Sequence, residues 1–139
     1  MVVDYASGLE YIINTILNSL SKPTIIAITG MPNSGKTRLR LTARDLLSEY
    51  KGITCIEGND LRSHGKGIWW NEVSELDYIL IEDIIYTSTM HYSLSVLGKK
   101  PDKILYMITR LDDLSDYLEE EKQIFDAIIY NPLAKKKTV

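Results

Sequence analysis

Eight consecutive residues limit the architecture more than any other stretch of the chain: Gly30-Met31-Pro32-Asn33-Ser34-Gly35-Lys36-Thr37. The β-branched run from Thr24 to Thr29, read as a buried strand, leads into them, and a helical pattern from Lys36 to Tyr50 leads out. The spacing G-x-x-x-x-G-K-[ST] suits a backbone wrapped around an anion. Glycine at both ends removes the Cβ atoms that would block a close approach. The N–H groups from Asn33 to Thr37 then point inward at the start of a helix, whose dipole favours negative charge. Lys36 is placed to reach the β- and γ-phosphates of a nucleotide, and the Thr37 hydroxyl to ligate Mg²⁺. Gly30, Asn33, Ser34, Gly35, Lys36 and Thr37 are therefore the expected binding residues, with ATP and Mg²⁺ as the expected cofactors.

The remaining pattern alternates helices with short apolar runs. Tyr5, Leu9, Ile12, Ile13, Ile16, Leu17 and Leu20 form one face of a helix, capped by Asp4 or by Ser7-x-x-Glu10 and ended by Pro23. In the helix 36–50, Leu39, Ala43, Leu46 and Leu47 are expected inward and Arg40 and Arg44 toward solvent, with Gly52 as the stop. Strands are expected at 53–56, 78–81, 103–108 and 127–130. A helix capped by Ser88 or Thr89 runs to Leu97 before Gly98, and an acidic helix begins with Asp112, Asp113 and Asp116. Residues 57–75 carry no clean period and are expected as a loop.

Five strands alternating with helices predict an α/β fold of three layers, a mostly parallel sheet with helices on both faces. Ligands of such sheets sit at the carboxyl ends of the strands, where the loop 30–37 falls. A single domain over 1–139 is expected, with an N-terminal amphipathic helix in 1–22 and a flexible basic tail at 133–139. The N-terminal helix either packs on the sheet or meets another subunit.

With 139 residues, 45% hydrophobic and 25% charged, the chain can bury a core of this size. A net charge of −3 excludes a surface that is basic all round, though not a local basic groove. No run is long enough to span a bilayer, and no secretory signal is read at Met1-Val2-Val3-Asp4. The single cysteine, Cys55, cannot close an intrachain disulfide, so a cytoplasmic location is expected. His64 and His91 lack partners at metal-ligand spacing, which argues against zinc.

Glu82 and Asp83 follow the apolar run Tyr78-Ile79-Leu80-Ile81. Four apolar residues and two carboxylates look like a Walker B motif, whose first acid holds the Mg²⁺ hydration shell and whose second orients water. The order is reversed from the usual Asp-Glu. Since errors of ~1 Å can cost ~100-fold in rate, slow hydrolysis is consistent with it. Over residues 24–131 the chain resembles the additional-strand class of P-loop NTPases, which includes AAA+, RecA-like and viral packaging ATPases. That resemblance implies Lys36, Glu82, Asp83, Thr109 and Arg110 as catalytic residues and Thr37 and Glu82 as metal ligands. Thr109 stands where a γ-phosphate sensor ends the fourth strand. Arg110 is either a sensor, a finger acting in trans, or a surface arginine capping the acidic segment.

The loop 57–70 combines Asp60, Arg62 and Lys66 with Trp69 and Trp70. Cations beside aromatic faces suit nucleic acid; alternatively the tryptophan pair covers core beneath solvated cations. Asp60-Leu61-Arg62 also resembles the Asp-x-x-Arg stretch of small-molecule P-loop kinases, with one residue between the pair instead of two. There the Asp activates an acceptor hydroxyl. Phe125 to Asn131 is similar to the last strand of guanylate kinases, whereas no arginine-rich lid lies between Arg110 and Phe125. The leading expectation is an oligomeric, Mg-dependent ATPase acting on DNA in replication, loading or packaging. The alternatives are a small kinase with its acceptor near Asp60 and Arg62, and a nucleotide-binding switch with decayed hydrolysis.

Overall fold

The computed structural model describes residues 2–50, 55–57, 76–115, 117 and 119–133. Among these described residues, six strands form one sheet: β1 (Val2–Val3), β2 (Thr24–Gly30), β3 (Cys55–Glu57), β4 (Tyr78–Glu82), β5 (Lys103–Ile108) and β6 (Ala127–Tyr130), in the spatial order β1-β6-β5-β2-β4-β3. Every ladder is parallel. Helices α1 (Tyr5–Asn18) and α2 (Lys36–Leu47) cover one face. Helix α3 (Tyr86–Tyr92), prolonged by a π-helical stretch Ser93–Leu97, contributes Tyr86 and Met90 to the other. This is the three-layer P-loop fold.

Alternation along β2 divides the core. Ile26 and Ile28 pack with Ile12, Ile16, Leu39, Ala43 and Leu47 on the α1–α2 side. Ala27 belongs to the opposite cluster with Tyr106, Ile108, Phe125 and Ile128, as period-two geometry requires. Gly8 lets α1 settle onto β6, because a Cβ there would stand 2.5 Å from the Ile129 side chain. The N-terminal helix thus packs on the sheet. Asp4 is its cap, accepting from the Ser7 N–H at 2.8 Å. No helix among the described residues is long and apolar enough to cross a membrane.

Several expectations are corrected. The sheet has a sixth strand, β1, whose two residues are too few to show a period. The acidic strand β4 pairs directly with the loop strand β2 through Thr24↔Tyr78 to Ile28↔Glu82. No strand stands between them, so the additional-strand class that includes AAA+ proteins is not the arrangement found. β2, β4 and β5 are all inward-facing apolar runs, and composition alone does not order such strands.

Helix α1 ends at Asn18, before Pro23, and Leu20 is fully exposed. Helix α2 stops at Leu47, leaving Leu46 at the surface. Arg40, expected in solvent, is only 3% exposed. Helix α3 begins at Tyr86, ahead of Ser88, and the π-helical stretch closes at Gly98 with φ +74°. The acidic helix is instead a 3₁₀ turn, Leu111–Leu114, and a single turn α4, Glu119–Lys122; neither buries a residue, so no apolar face holds a longer helix together. Gly52, the loop 58–75, Asp116 and the tail 134–139 lie outside the described residues.

Candidate nucleotide site

The carboxyl ends of β2, β4 and β6 meet at one edge of the sheet. From β2 the chain turns through Asn33 (φ +59°) and Gly35 (φ +96°) before α2 begins at Lys36. Left-handed backbone favours glycine at 35, and a Cβ there would also stand 2.8 Å from Asn131 Nδ2. That amide donates to the Ser34 carbonyl at 3.0 Å, tying the loop to the end of β6. The Ser34 hydroxyl donates to the Met31 carbonyl at 2.7 Å and tightens the turn from within. The first N–H groups of α2 lack intrahelical acceptors, as in any helix, and face the loop's opening.

Lys36 folds back over the loop it ends. It is 8% exposed, and its Nζ donates to the Met31 carbonyl at 2.6 Å and the Gly30 carbonyl at 3.4 Å. Burial lowers the ammonium's pKa from the ordinary lysine value, and the charges of Glu82 and Asp83 pull part of the way back. A pKa lower in the folded chain than in the unfolded one makes stability rise as pH climbs through the lowered value toward the ordinary one. A phosphate beside Nζ favours the ammonium, so binding should take up protons between the free and bound pKa values and weaken as pH rises there. Calorimetry of Mg·ATP in alkaline buffers of differing ionisation enthalpy should detect that uptake. The variant Lys36→Arg, charged throughout, should lose it; equal uptake in both would contradict this origin.

Glu82, at the end of β4, is held on both oxygens. Its Oε2 accepts from the Thr37 hydroxyl at 2.7 Å, and its Oε1 accepts from Arg40 Nε at 2.7 Å. The Arg40 and Glu82 side chains are 4% and 12% exposed. The Thr37 hydroxyl and Glu82 carboxylate are hard oxygen donors brought together beside the phosphate loop, which fits Mg²⁺. Asp83 is braced by the backbone: its N–H donates to the Ile28 carbonyl at 2.9 Å, and its Oδ1 accepts from the Ile84 N–H at 2.7 Å.

A cavity of about 680 Å³ opens over these groups, lined along one side by Asn33, Ser34, Gly35, Lys36, Thr37 and Glu82. Its size suits a nucleotide-scale ligand. Thr109 and Arg110 follow β5 but do not line the cavity. Asp113 Oδ2 accepts from both of their N–H groups, at 3.2 and 3.0 Å, and the Arg110 guanidinium donates to Asp112 at 2.9 Å on the surface. The capping role is the one this geometry displays. Asp60, Arg62, Lys66, Trp69 and Trp70 lie outside the described residues.

Arg40 and Asn131 are site residues that sequence reasoning missed; for Arg40 a signal was present. The signal was its position one turn after Lys36, which puts both cations on the same helix face.

The fold and site together define a P-loop architecture. No protein-family model matches the chain, and no curated protein sequence does. Among solved structures it is similar to one titled as that of a possible uridine kinase from Bacillus stearothermophilus. The TM-score is 0.53 at 16% sequence identity, covering 89% of this chain and 98% of that one. At that identity the likeness establishes the shared fold.

Proposed function

We propose that this protein is a P-loop nucleotide-binding enzyme of the kinase type, transferring the γ-phosphoryl group of Mg·ATP to a hydroxyl acceptor. The observation that carries this reading is the direct pairing of β4 with β2, which brings Glu82 to Thr37 with no strand interposed. The likeness to a possible uridine kinase supports the same choice. The DNA-linked ATPase expectation drew on an additional strand that is absent from between β2 and β4, and on the segment 60–70 outside the described residues. Neither DNA binding nor oligomerisation gains support among the described residues.

Each residue has a task in this reading. The N–H groups from Asn33 to Thr37 cradle the phosphates, and Lys36 adds charge over the β- and γ-positions. Thr37 and Glu82 would hold Mg²⁺, whose charge would neutralise that of the transferring group. Arg40 positions Glu82, and Asp83 is the neighbouring carboxylate, whose charge together with that of Glu82 favours the Lys36 ammonium. Asp60, which follows β3 in sequence, accepts the acceptor's proton in this reading, and Arg62 orients the acceptor.

The test follows label from γ-labelled ATP into a panel of hydroxyl acceptors beginning with uridine, with DNA and water as competing conditions. Transfer to an acceptor is expected, and Asp60→Asn should lower it by roughly 10²- to 10⁴-fold as the general base is lost. Mg·ATP affinity should stay within about twofold, because that side chain is assigned to the acceptor. Acceptor-independent phosphate release, stimulated by DNA and indifferent to Asp60→Asn, would overturn the kinase reading.

A further inference from the structure

The cavity wall holds a second cation besides Lys36: Arg38. It is the third residue of α2, after Lys36 and Thr37. The residue is exposed, and it makes no hydrogen bond or ion pair among the described residues. The sequence explains why. Positions three and four residues away on the helix hold Ser34, Gly35, Leu41 and Thr42, none of them a carboxylate. The other described arginines are each paired: Arg40 with Glu82, Arg44 with Asp45 and Arg110 with Asp112.

A helical side chain leans from its Cα toward the helix N-terminus and covers the turn before it. From the third position of α2 that turn is the phosphate loop itself, so a guanidinium rooted there has the mouth of the loop within reach. The other cations of this corner are already answered: Arg40 is bonded to Glu82, and the charges of Glu82 and Asp83 act on Lys36. Arg38 therefore supplies positive charge with no carboxylate set against it, beside a cavity suited to a polyanion. Between Arg110 and Phe125 the chain has no arginines that could close over the phosphates instead.

We propose that Arg38 is a further binding residue of this site, its guanidinium donating to the α-phosphate of the nucleotide. The assignment rests on the nucleotide reading of the loop 30–37. Lys36 and the Thr37–Glu82 pair are assigned to the β- and γ-phosphates and their metal, so the α-phosphate is the anion they leave without a cation. The planar fork of an arginine suits two oxygens of one phosphate, which a lysine at the same position would meet only as a point charge.

The experiment compares calorimetric affinities of the wild type and Arg38→Met for Mg·ATP, Mg·tripolyphosphate and Mg·pyrophosphate. Pyrophosphate fills the β- and γ-positions alone, and tripolyphosphate adds the third phosphate without a nucleoside. Arg38→Met should weaken Mg·ATP and Mg·tripolyphosphate by roughly 10-fold or more, the low end for hydrogen bonds to a charged group, because the residue is open to solvent. Pyrophosphate affinity should be unchanged. The urea unfolding midpoint should not move either, since an exposed and unpaired side chain holds nothing in the fold. Unchanged Mg·ATP affinity overturns the proposal. So does an equal loss for pyrophosphate, which a long-range field alone would produce. A loss confined to Mg·ATP overturns it too, because it would put the guanidinium on the nucleoside. A wild-type chain that binds none of these ligands overturns the phosphate-loop reading instead.

Discussion

Replacing Lys36 by alanine is expected to weaken Mg·ATP binding by roughly 100-fold or more, while the fold survives. A hydrogen bond to a charged group contributes about 1.5–3 kcal/mol, and this ammonium is placed to serve more than one phosphate oxygen. Stability should change little. The variant loses the bonds from Nζ to the Met31 and Gly30 carbonyls, each worth about 1 kcal/mol. It also no longer buries an ammonium that burial already drives toward its neutral form. Calorimetry with a parallel urea titration separates the two effects. A large loss of stability with affinity retained would mean that Lys36 is a structural cation rather than a phosphate ligand.

The second large effect falls on Arg40. Arg40→Met, which keeps much of the side chain's bulk without its charge, is expected to destabilise the fold by about 3–5 kcal/mol, the usual cost of removing one partner from a buried ion pair. Glu82 would be left with Oε1 facing an apolar neighbour in place of the Arg40 guanidinium, while the Thr37 hydroxyl stays on Oε2. Adding Glu82→Gln should recover part of that loss, because the stranded charge is gone. It should not recover Mg²⁺-dependent binding, since the amide is a poor substitute for the carboxylate as a metal ligand. Urea unfolding of the two single variants and the double variant gives the coupling energy. A loss below about 1 kcal/mol in Arg40→Met would mark the pair as no stronger than a surface contact.

The phosphate loop was legible because its chemistry is local: glycines, lysine and threonine at fixed spacing between a strand and a helix. The five longer strands were legible from β-branched runs, and α1 and α2 from their apolar faces. Strand order was not. Buried strands such as Ile79-Leu80-Ile81 and Ile104-Leu105-Tyr106 present the same apolar surface to any neighbour, so the pairing of β4 with β2 had to come from backbone geometry. Arg40 was misplaced because an arginine among apolar positions reads as solvated until its carboxylate partner, 42 residues later, is found folded beside it. Thr109 and Arg110 were assigned by resemblance to a class with a different strand order, and in this fold Asp112 and Asp113 occupy them.

The central claim is that a nucleotide's phosphates bind at the loop 30–37 and that Thr37 and Glu82 are the residues that would hold its Mg²⁺. Titrating Mg·ATP into the full-length, ¹⁵N-labelled chain and following its backbone amides by NMR tests this most directly. The account predicts saturable shifts that are largest at the amides from Asn33 to Thr37, extend to Glu82 and Asp83, and shrink at the acidic end when Mg²⁺ is withheld. Amides of the loop that stay unmoved at millimolar Mg·ATP, or shifts centred elsewhere on the sheet, would contradict it.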